Sequence, residues 1–383
     1  MSPALRLAAP LLALAVTLAT AHAEEVPRQP ADLVRSLQTL QDEIARGSTE
    51  AHLSQRTLIA QIAEQLALAK PEVWKEPRNA RAAVAFVLSG GDPRVLKNLS
   101  EPGMLPGMDE KLVQGVLAYG EGRNAEAADL LIRISARSLD PSLAGHLALV
   151  QAELIAKKDA AKALLFLDEA RLLSPGTLIE EAALRRQIAI VATAKDLDRF
   201  DMLSANYLRR FARSVYAGAF RRQLATDVAG REDAGSVGRM TKLAAALEAV
   251  DAAERLDIYL SIAREALIKG KAELARLAAD SAARLADKDS AEQRRARLYE
   301  AAALVVGNGI DKGTSALEAM DKAELDEEDA ELLDAARSVA AEVRRLPAPS
   351  EASGEDAGAP PKAVEAARQS MARADQLIEA VSK

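Results

Sequence analysis

The chain has 383 residues, a formal net charge of −7 and no cysteine. The lack of cysteine excludes disulfide bonds, thiolate catalysis and sulfur-ligated metal sites, and the acidic balance argues against nucleic-acid binding, which needs a basic stripe. Hydrophobic residues make up 49% of the chain but aromatic residues only 3%. Most of the apolar content is alanine and leucine, which are strong helix formers, whereas strands favour β-branched and aromatic residues. The composition therefore predicts an all-α fold.

Residues 1–23 have the pattern of an export signal. Arg6 supplies the positive start, residues 7–19 form a short apolar stretch, and the triplet AHA at 21–23 is a small-x-small cleavage site. The apolar stretch is shorter than the about 20 residues that a membrane-spanning helix needs, so an uncleaved anchor is the weaker alternative. We predict an exported protein that does not span the membrane after signal removal, and a bacterial periplasm as its location.

The stretch PRNARAAVAFVLSGGDP (residues 77–93) predicts a corner between two helices. Its helical apolar spacing stops at the pair Gly90-Gly91, one of which can adopt the left-handed conformation that ends a helix. Asp92 then suits the N-cap of the next helix and Pro93 suits its first position. A phosphate-binding loop would need a preceding strand and a Gly-Lys-Ser/Thr ending, and neither is present.

Similar corners recur along the chain and predict helical hairpins joined by short loops. In SPGTLIEEAALRR, Thr177 is placed as an N-cap and Glu180 follows three residues later, the spacing of a capping box. The other corners lie at Gly47-Ser48, Asp140-Pro141, Gly270 and Gly309.

The spacing of these corners suggests repeats. Pro141 and Pro175 are 34 residues apart, which is the tetratricopeptide (TPR) period, although the preceding unit places Arg133 where a large apolar residue is wanted. We predict an N-terminal helical region over 24–110, followed over 111–345 by degenerate TPR-like helical hairpins stacked as an irregular solenoid. The alternative is an irregular helical bundle.

The last part of the chain differs in composition. Residues 346–362 contain PAPSEASGEDAGAPP, which has no large apolar side chain and predicts a flexible Pro/Gly/Ala linker. Residues 363–383 predict a short amphipathic helix whose apolar residues form one narrow seam. The seam consists of Val364, Ala367, Met371, Ala374, Ile378 and Val381. It would either pair with a partner helix or fold back on the solenoid as a cap.

No pattern in the sequence points to catalysis. His52 and His146 remain after signal removal, each inside an amphipathic helix and without a second histidine at ligand spacing. We interpret both as ordinary helix-face residues. The acidic run DEED at 326–329 predicts a solvated helix start, where carboxylates favour the helix dipole. We therefore expect no catalytic residue, no cofactor and no metal site.

One segment, RFDMLSANYLRRFARSVYAGAFRRQ at 199–223, differs in composition from the rest of the chain. It holds five of the ten Phe and Tyr residues of the chain, and six arginines against a single acid. One interpretation is that the rings belong to the core and the arginines are solvated. The other is a docking face for a carboxylate-bearing protein partner, because Arg and Tyr are enriched at interface hot spots. The candidate partner-binding residues are Tyr207, Arg209, Arg210, Arg213 and Tyr216.

Four long stretches carry a resemblance: LVRSLQTLQDEIARG, PRNARAAVAFVLSGGDP, ARLLSPGTLIEEAALRR and NYLRRFARSVYAGAF. Through them, about residues 33–220 resemble the MotC family of periplasmic flagellar motility proteins. The resemblance implies an exported protein without catalytic activity, which supports flagellar rotation by binding the periplasmic domain of the stator protein MotB. The alternative, from another functional class, is a TPR-like periplasmic adaptor or enzyme of the cell wall, in which the Arg/Tyr stretch binds an acidic glycan.

Overall fold

The computed structural model describes residues 28–101, 104–231 and 235–345, and every regular element within these ranges is a helix. The predicted all-α fold is confirmed. Three predicted segments lie outside the described residues: the signal peptide 1–23, the linker 346–362 and the terminal helix 363–383.

The described residues contain seventeen α-helices and three short 3₁₀ turns. The first nine helices are α1 Pro30–Ala45, α2 Thr49–Ala67, α3 Pro77–Leu88, α4 Arg94–Lys97, α5 Glu110–Gly120, α6 Asn124–Leu131, α7 Pro141–Ile155, α8 Ala160–Leu173 and α9 Leu178–Thr193. The others are α10 Leu197–Phe211, α11 Ala217–Ala229, α12 Val237–Leu247, α13 Ala252–Ile268, α14 Ala272–Leu285, α15 Ala291–Val306, α16 Ile310–Glu318 and α17 Glu327–Arg345. The 3₁₀ turns are Pro71–Lys75, Ala136–Ser138 and Lys322–Glu324.

Helices that follow each other in sequence also pack against each other in space. The strongest contacts join α5 to α6, α7 to α8 and α13 to α14, and α14 and α15 continue the row. Short loops make such neighbours antiparallel hairpins, so the predicted solenoid of helical hairpins is confirmed. The division of the chain near residue 110 stays a prediction, and hydrophobic packing runs across that position.

The core consists of two clusters of buried apolar side chains. The first spans α1 to α9 and contains Trp74 and Phe86, and the second continues to α17 and contains Tyr299. The clusters meet inside α9, where Ala183 belongs to the first and Leu184 to the second. Most other members are alanine and leucine, so the helices approach closely over small side chains.

The corner at Gly90-Gly91 forms as the sequence predicts. Gly90 ends α3 in the left-handed region at φ +89°, which suits a residue without a Cβ. Gly91 has a different role, because a Cβ at this position would overlap the buried ring of Phe86. The Asp92 carboxylate accepts a hydrogen bond of 2.9 Å from the backbone N–H of Arg94 and so caps the next turn.

The corner before α9 forms, but the predicted capping box is wrong in its hydrogen bonds. The hydroxyl of Thr177 donates to the carbonyl of Ser174 at 2.6 Å, and its oxygen accepts no hydrogen bond from the first turn of α9. The Glu180 carboxylate accepts from the N–H of Gly176 at 2.6 Å, one residue earlier than a capping box requires. The tight turn at Gly176 places the N–H of Gly176, instead of that of Thr177, next to the Glu180 carboxylate.

The start of α9 also contacts a distant part of the chain. The carboxylate of Asp42 in α1 lies near the backbone N–H of Leu178. Burial raises the pKa of Asp42, and the nearby N–H partly lowers it again. The N-terminal hairpin therefore meets α9 through a contact that local sequence could not predict.

The acidic run at 326–329 is a helix start, but the prediction that it is solvated is wrong for Asp329. This side chain is buried. Its two oxygens accept hydrogen bonds from the Tyr299 hydroxyl at 2.6 Å and from the Arg295 Nε at 2.8 Å. Paired in this way, the carboxylate holds α17 against α15.

The misfit at Arg133 has a simple explanation. The α6 helix ends at Leu131, so Arg133 lies beyond it and is exposed. The second helix of this repeat is therefore too short to contain the position that a full-length TPR unit would bury.

His146 is a core residue and not an ordinary helix-face residue. Its Nε2 lies 3.0 Å from the Ser89 hydroxyl, at the end of α3. Burial lowers the pKa of His146 from 6.5 to about 4, because a charged imidazole loses its hydration there. The neutral ring thus joins α7 to the Gly90 corner.

We predict that the two glycines of the corner respond differently to substitution. Gly90→Asn should reduce the free energy of unfolding by less than about 1 kcal/mol, since asparagine tolerates the left-handed conformation. Gly91→Ala should reduce it by about 2–3 kcal/mol, since the buried Phe86 ring must move. Urea unfolding followed by circular dichroism measures both values, and the reverse ranking would contradict the assignment.

We also predict that His146 makes folding sensitive to acid. Between pH 6.5 and about 4 the unfolded chain binds a proton at this residue that the folded chain does not bind. Its contribution to stability is therefore complete above pH 6.5 and is lost as the pH falls towards 4, by roughly 3 kcal/mol. The measurement is the free energy of unfolding against pH for the parent and His146→Gln. The parent should lose more stability than the variant, and equal losses would refute the role.

Candidate partner-binding face

The candidate residues lie on the last two turns of α10 and in the loop 212–216. α10 forms because its apolar residues fall on one face, which buries Phe200, Leu203, Tyr207 and Phe211 against the second core. The arginines at positions 209 and 210 occupy the other face and the C-terminal turn, where cations favour the helix dipole. The sequence pattern therefore separates the segment into a buried and an exposed half.

Tyr207 belongs to the buried half, which corrects its assignment to the partner-binding face. Its side chain is 0% exposed, and its ring lies 3.9 Å from that of Phe220, centroid to centroid. Its hydroxyl donates to the Glu181 Oε1 at 2.7 Å, and the Ser214 hydroxyl donates to the same oxygen at 2.6 Å. A partner could reach Tyr207 only after α10 separated from α9.

Glu181 is the centre of this buried polar cluster. Burial raises its pKa, and the bonds from Ser214 and Tyr207 partly offset that effect. The Coulomb attraction of Arg185, one turn later in α9, acts in the same direction as these bonds. Because a carboxylate needs hydrogen bonds in a dry environment, Glu181 fixes both α10 and the loop 212–216 against α9.

The basic charge of the segment is smaller than its composition suggests, because several of its arginines are paired. Arg210 donates to the Glu180 carboxylate at 2.6 Å, and Arg221 donates to Glu254 at 2.6 Å. Arg210 is thus partly structural. Three of the arginines are exposed and form no ion pair with any residue that the structure describes. They are Arg209, Arg213 and Arg222.

Arg213 and Tyr216 are held in place by the N-terminal hairpin. The N–H of Val215 donates to the carbonyl of Ile44 at 3.4 Å. Gly47 lies so close that a Cβ there would overlap the carbonyl oxygen of Arg213. The turn between α1 and α2 therefore sets the conformation of the loop, a contact that sequence reasoning missed because about 170 residues separate the partners.

The ring of Tyr216 is half-buried between side chains from two other helices. The ring of His52 in α2 meets it edge-on at 5.5 Å between centroids, and the Arg185 guanidinium lies 4.5 Å from its centroid. Such stacking of arginine on an aromatic face is favourable. Part of Tyr216 is exposed, so it remains a candidate partner-binding residue. His52 lies at the joint between the N-terminal hairpin and α9.

A cleft of about 480 Å³ between α10 and α12 adjoins the candidate face. Its walls carry small apolar side chains, and Met202 at its edge is 55% exposed. Arg209 lies at the rim, where its guanidinium donates to the Asn206 side chain at 2.6 Å. The alanines of the cleft are Ala205, Ala245, Ala246 and Ala249. Sequence reasoning missed the α12 side, because an Ala-rich helix shows no distinctive pattern.

Both acidic residues of this cleft already interact with basic residues of the fold. Asp198 lies 3.3 Å from the ammonium group of Lys242, and the buried Asp201 accepts from Arg239. Within the described ranges, no group of three or more His, Asp or Glu side chains is placed to hold a metal ion. The same residues include no helix that is long and apolar enough to cross a membrane.

We predict that the role of Glu181 depends on its oxygen atoms more than on its charge. Glu181→Ala should lower the free energy of unfolding by roughly 2–4 kcal/mol, because the hydroxyls of Tyr207 and Ser214 lose their acceptor. Glu181→Gln should cost less than about 1 kcal/mol, because it keeps an acceptor and removes a desolvated charge. Urea unfolding at pH 7 compares the two. Similar losses in both would show that the charge matters.

Comparison with known proteins identifies the family. A family model described as "Chemotaxis protein MotC" matches residues 1–383. The chain is 32% identical over 342 residues to a protein of Rhizobium meliloti (strain 1021) named "Chemotaxis protein MotC", which covers 89% of this chain and 77% of that protein. No solved structure matches the chain. Three of the four family-like segments pack together at the joint of α1, α9 and the loop 212–216. The fourth, over residues 77–93, contains α3, which packs on α1. The chain belongs to the MotC family of chemotaxis proteins.

Proposed function

We propose that this protein is a non-enzymatic periplasmic scaffold required for rotation of the flagellar motor. In this proposal it binds the periplasmic domain of the stator protein MotB and favours the working conformation of that domain. Membership of the MotC family supports a role in motility. The export signal predicted in residues 1–23 and the resemblance to periplasmic motility proteins support the location and the partner.

The observation that carries the proposed binding mode is a set of three exposed arginines, of which Arg209 lies at the rim of the cleft. Arg209, Arg213 and Arg222 have no acidic partner among the described residues, whereas neighbouring arginines are neutralised within the fold. A carboxylate-bearing partner would form new ion pairs with them without breaking any. The apolar alanines and Met202 beside Arg209 would supply the desolvated centre that binding requires.

A scaffold of this kind acts by differential affinity. A partner that binds one conformation of the stator domain more tightly shifts the population towards it by that difference in free energy. The scaffold therefore needs a surface that keeps its shape. Glu181 and the turn between α1 and α2 provide this by fixing the loop 212–216 from two sides.

The alternative of a cell-wall enzyme or adaptor has no comparable support in the described residues. It calls for convergent carboxylates in a cleft beside the Arg/Tyr segment. The two acids of the cleft between α10 and α12, Asp198 and Asp201, are paired with Lys242 and Arg239. The two acids of a second cleft, beside Arg222, are Asp257 and Glu265, which lie about 12 Å apart along the axis of α13 and do not converge.

The proposal predicts that charge reversal of the free arginines weakens partner binding. The triple variant Arg209→Glu, Arg213→Glu and Arg222→Glu should raise the Kd for the purified periplasmic domain of MotB by about tenfold or more. A matched triple variant changes three exposed arginines that lie elsewhere and that also lack an ion pair among the described residues. These are Arg78, Arg133 and Arg297. Isothermal titration calorimetry gives both values.

The proposed binding surface and the proposed function can be refuted independently. If both triple variants weaken binding equally, or if neither weakens it, then the binding surface lies elsewhere, but the proposed function still stands. If the parent protein does not bind the stator domain, and a deletion strain with intact flagella swims normally, then the function itself is refuted.

A further inference from the structure

The last described helix, α17, leaves part of its apolar surface uncovered. Its buried face packs on α15 and α16 through Leu333, Ala336 and Ala340. Beside this face runs a second apolar stripe at spacings of three and four residues, of which Val339 is 40% and Val343 38% exposed. The stripe consists of Leu332, Ala335, Val339 and Val343.

Such a stripe at the end of a stack is a place where a further helix would pack. Each pair in a helical solenoid buries its apolar face against the next, so the terminal pair needs a cap. In α16–α17 the inner side is occupied by α15. Leu332 at one end of the stripe also packs against the core, whereas Ala335, Val339 and Val343 are exposed. The spacing of the stripe fits the side chains of a helix lying alongside.

We propose that the C-terminal segment of the same chain, residues 363–383, covers this stripe as the cap of the solenoid. Its sequence predicts a helix with one apolar seam, centred on Met371. A narrow seam and a narrow stripe match in width.

The length of the connection makes this partner available. Eighteen residues, 346–363, separate the end of α17 from the first seam residue, and such a chain can span up to about 60 Å. The 19 residues of α17 extend over only about 28 Å, so the seam can reach any position on the stripe. A tether of this length gives the segment an effective concentration on the order of millimolar, so even a weak contact is occupied.

The test is hydrogen exchange of the full chain, read in peptides that cover residues 364–381. Their amides should exchange at least about tenfold more slowly than in the free synthetic peptide 363–383. The protection should disappear in a Val339→Asp, Val343→Asp variant, because both valines are exposed and their replacement leaves the core intact. A control variant with the same added charge, Ser338→Asp and Ala341→Asp, lies on the exposed side of α17 away from the stripe and should keep the protection.

Three results would overturn the proposal. The first is free-peptide exchange rates in the parent chain. The second is protection that persists in the valine variant, which would place the segment on another surface. The third is protection that grows with protein concentration, which would indicate a second copy as the partner. The thermal transition of each variant, followed by circular dichroism, shows that the rest of the chain is folded. This test does not involve the stator protein, so its outcome is independent of the proposed function.

Discussion

Two adjacent carboxylates in α9, Glu180 and Glu181, determine how the middle of the solenoid is assembled. Glu180 accepts from the corner at Gly176 and from Arg210, and Glu181 accepts from the hydroxyls of Tyr207 and Ser214. Both acids are buried, and a buried carboxylate is tolerated only where donors surround it. These donors come from α10 and the loop that follows it, so the two acids help to position both elements against α9. Apolar packing alone, over many similar alanines and leucines, would fix their position less strictly.

The N-terminal hairpin depends on the same assembly. It contacts α9 through Asp42, which lies near the backbone N–H of Leu178, and it contacts the loop 212–216 through Gly47. Each contact involves a partner far away in sequence. The hairpin is thus more than the first unit of a linear stack, because it closes back on the middle of the chain. The half-buried ring of Tyr216 lies at this joint.

This packing explains why a basic, aromatic segment can belong both to the core and to the surface. Its rings and three of its arginines make internal contacts, which leaves three cations projecting from a rigid support. A backbone that is already fixed loses little conformational entropy when a partner binds. The apolar cleft beside Arg209 adds area that excludes water. Together these features suit recognition of another protein better than chemical transformation of a small molecule.

The sequence by itself determined the helical class, the positions of most corners and the segment that is rich in arginine and aromatic residues. Gly90, Asp140 and Gly270 act locally, through left-handed backbone or N-capping, so their roles can be read from a few neighbouring residues. The tertiary structure decided which candidates are accessible. Tyr207 and Arg210 are of the same residue types as Tyr216 and Arg209, but hydrogen bonds to distant partners on α9 hold the first two inside the fold. The contact of Asp42 with α9, the burial of His146 and the cleft beside α12 likewise depend on contacts between residues far apart in sequence, which local spacing does not encode.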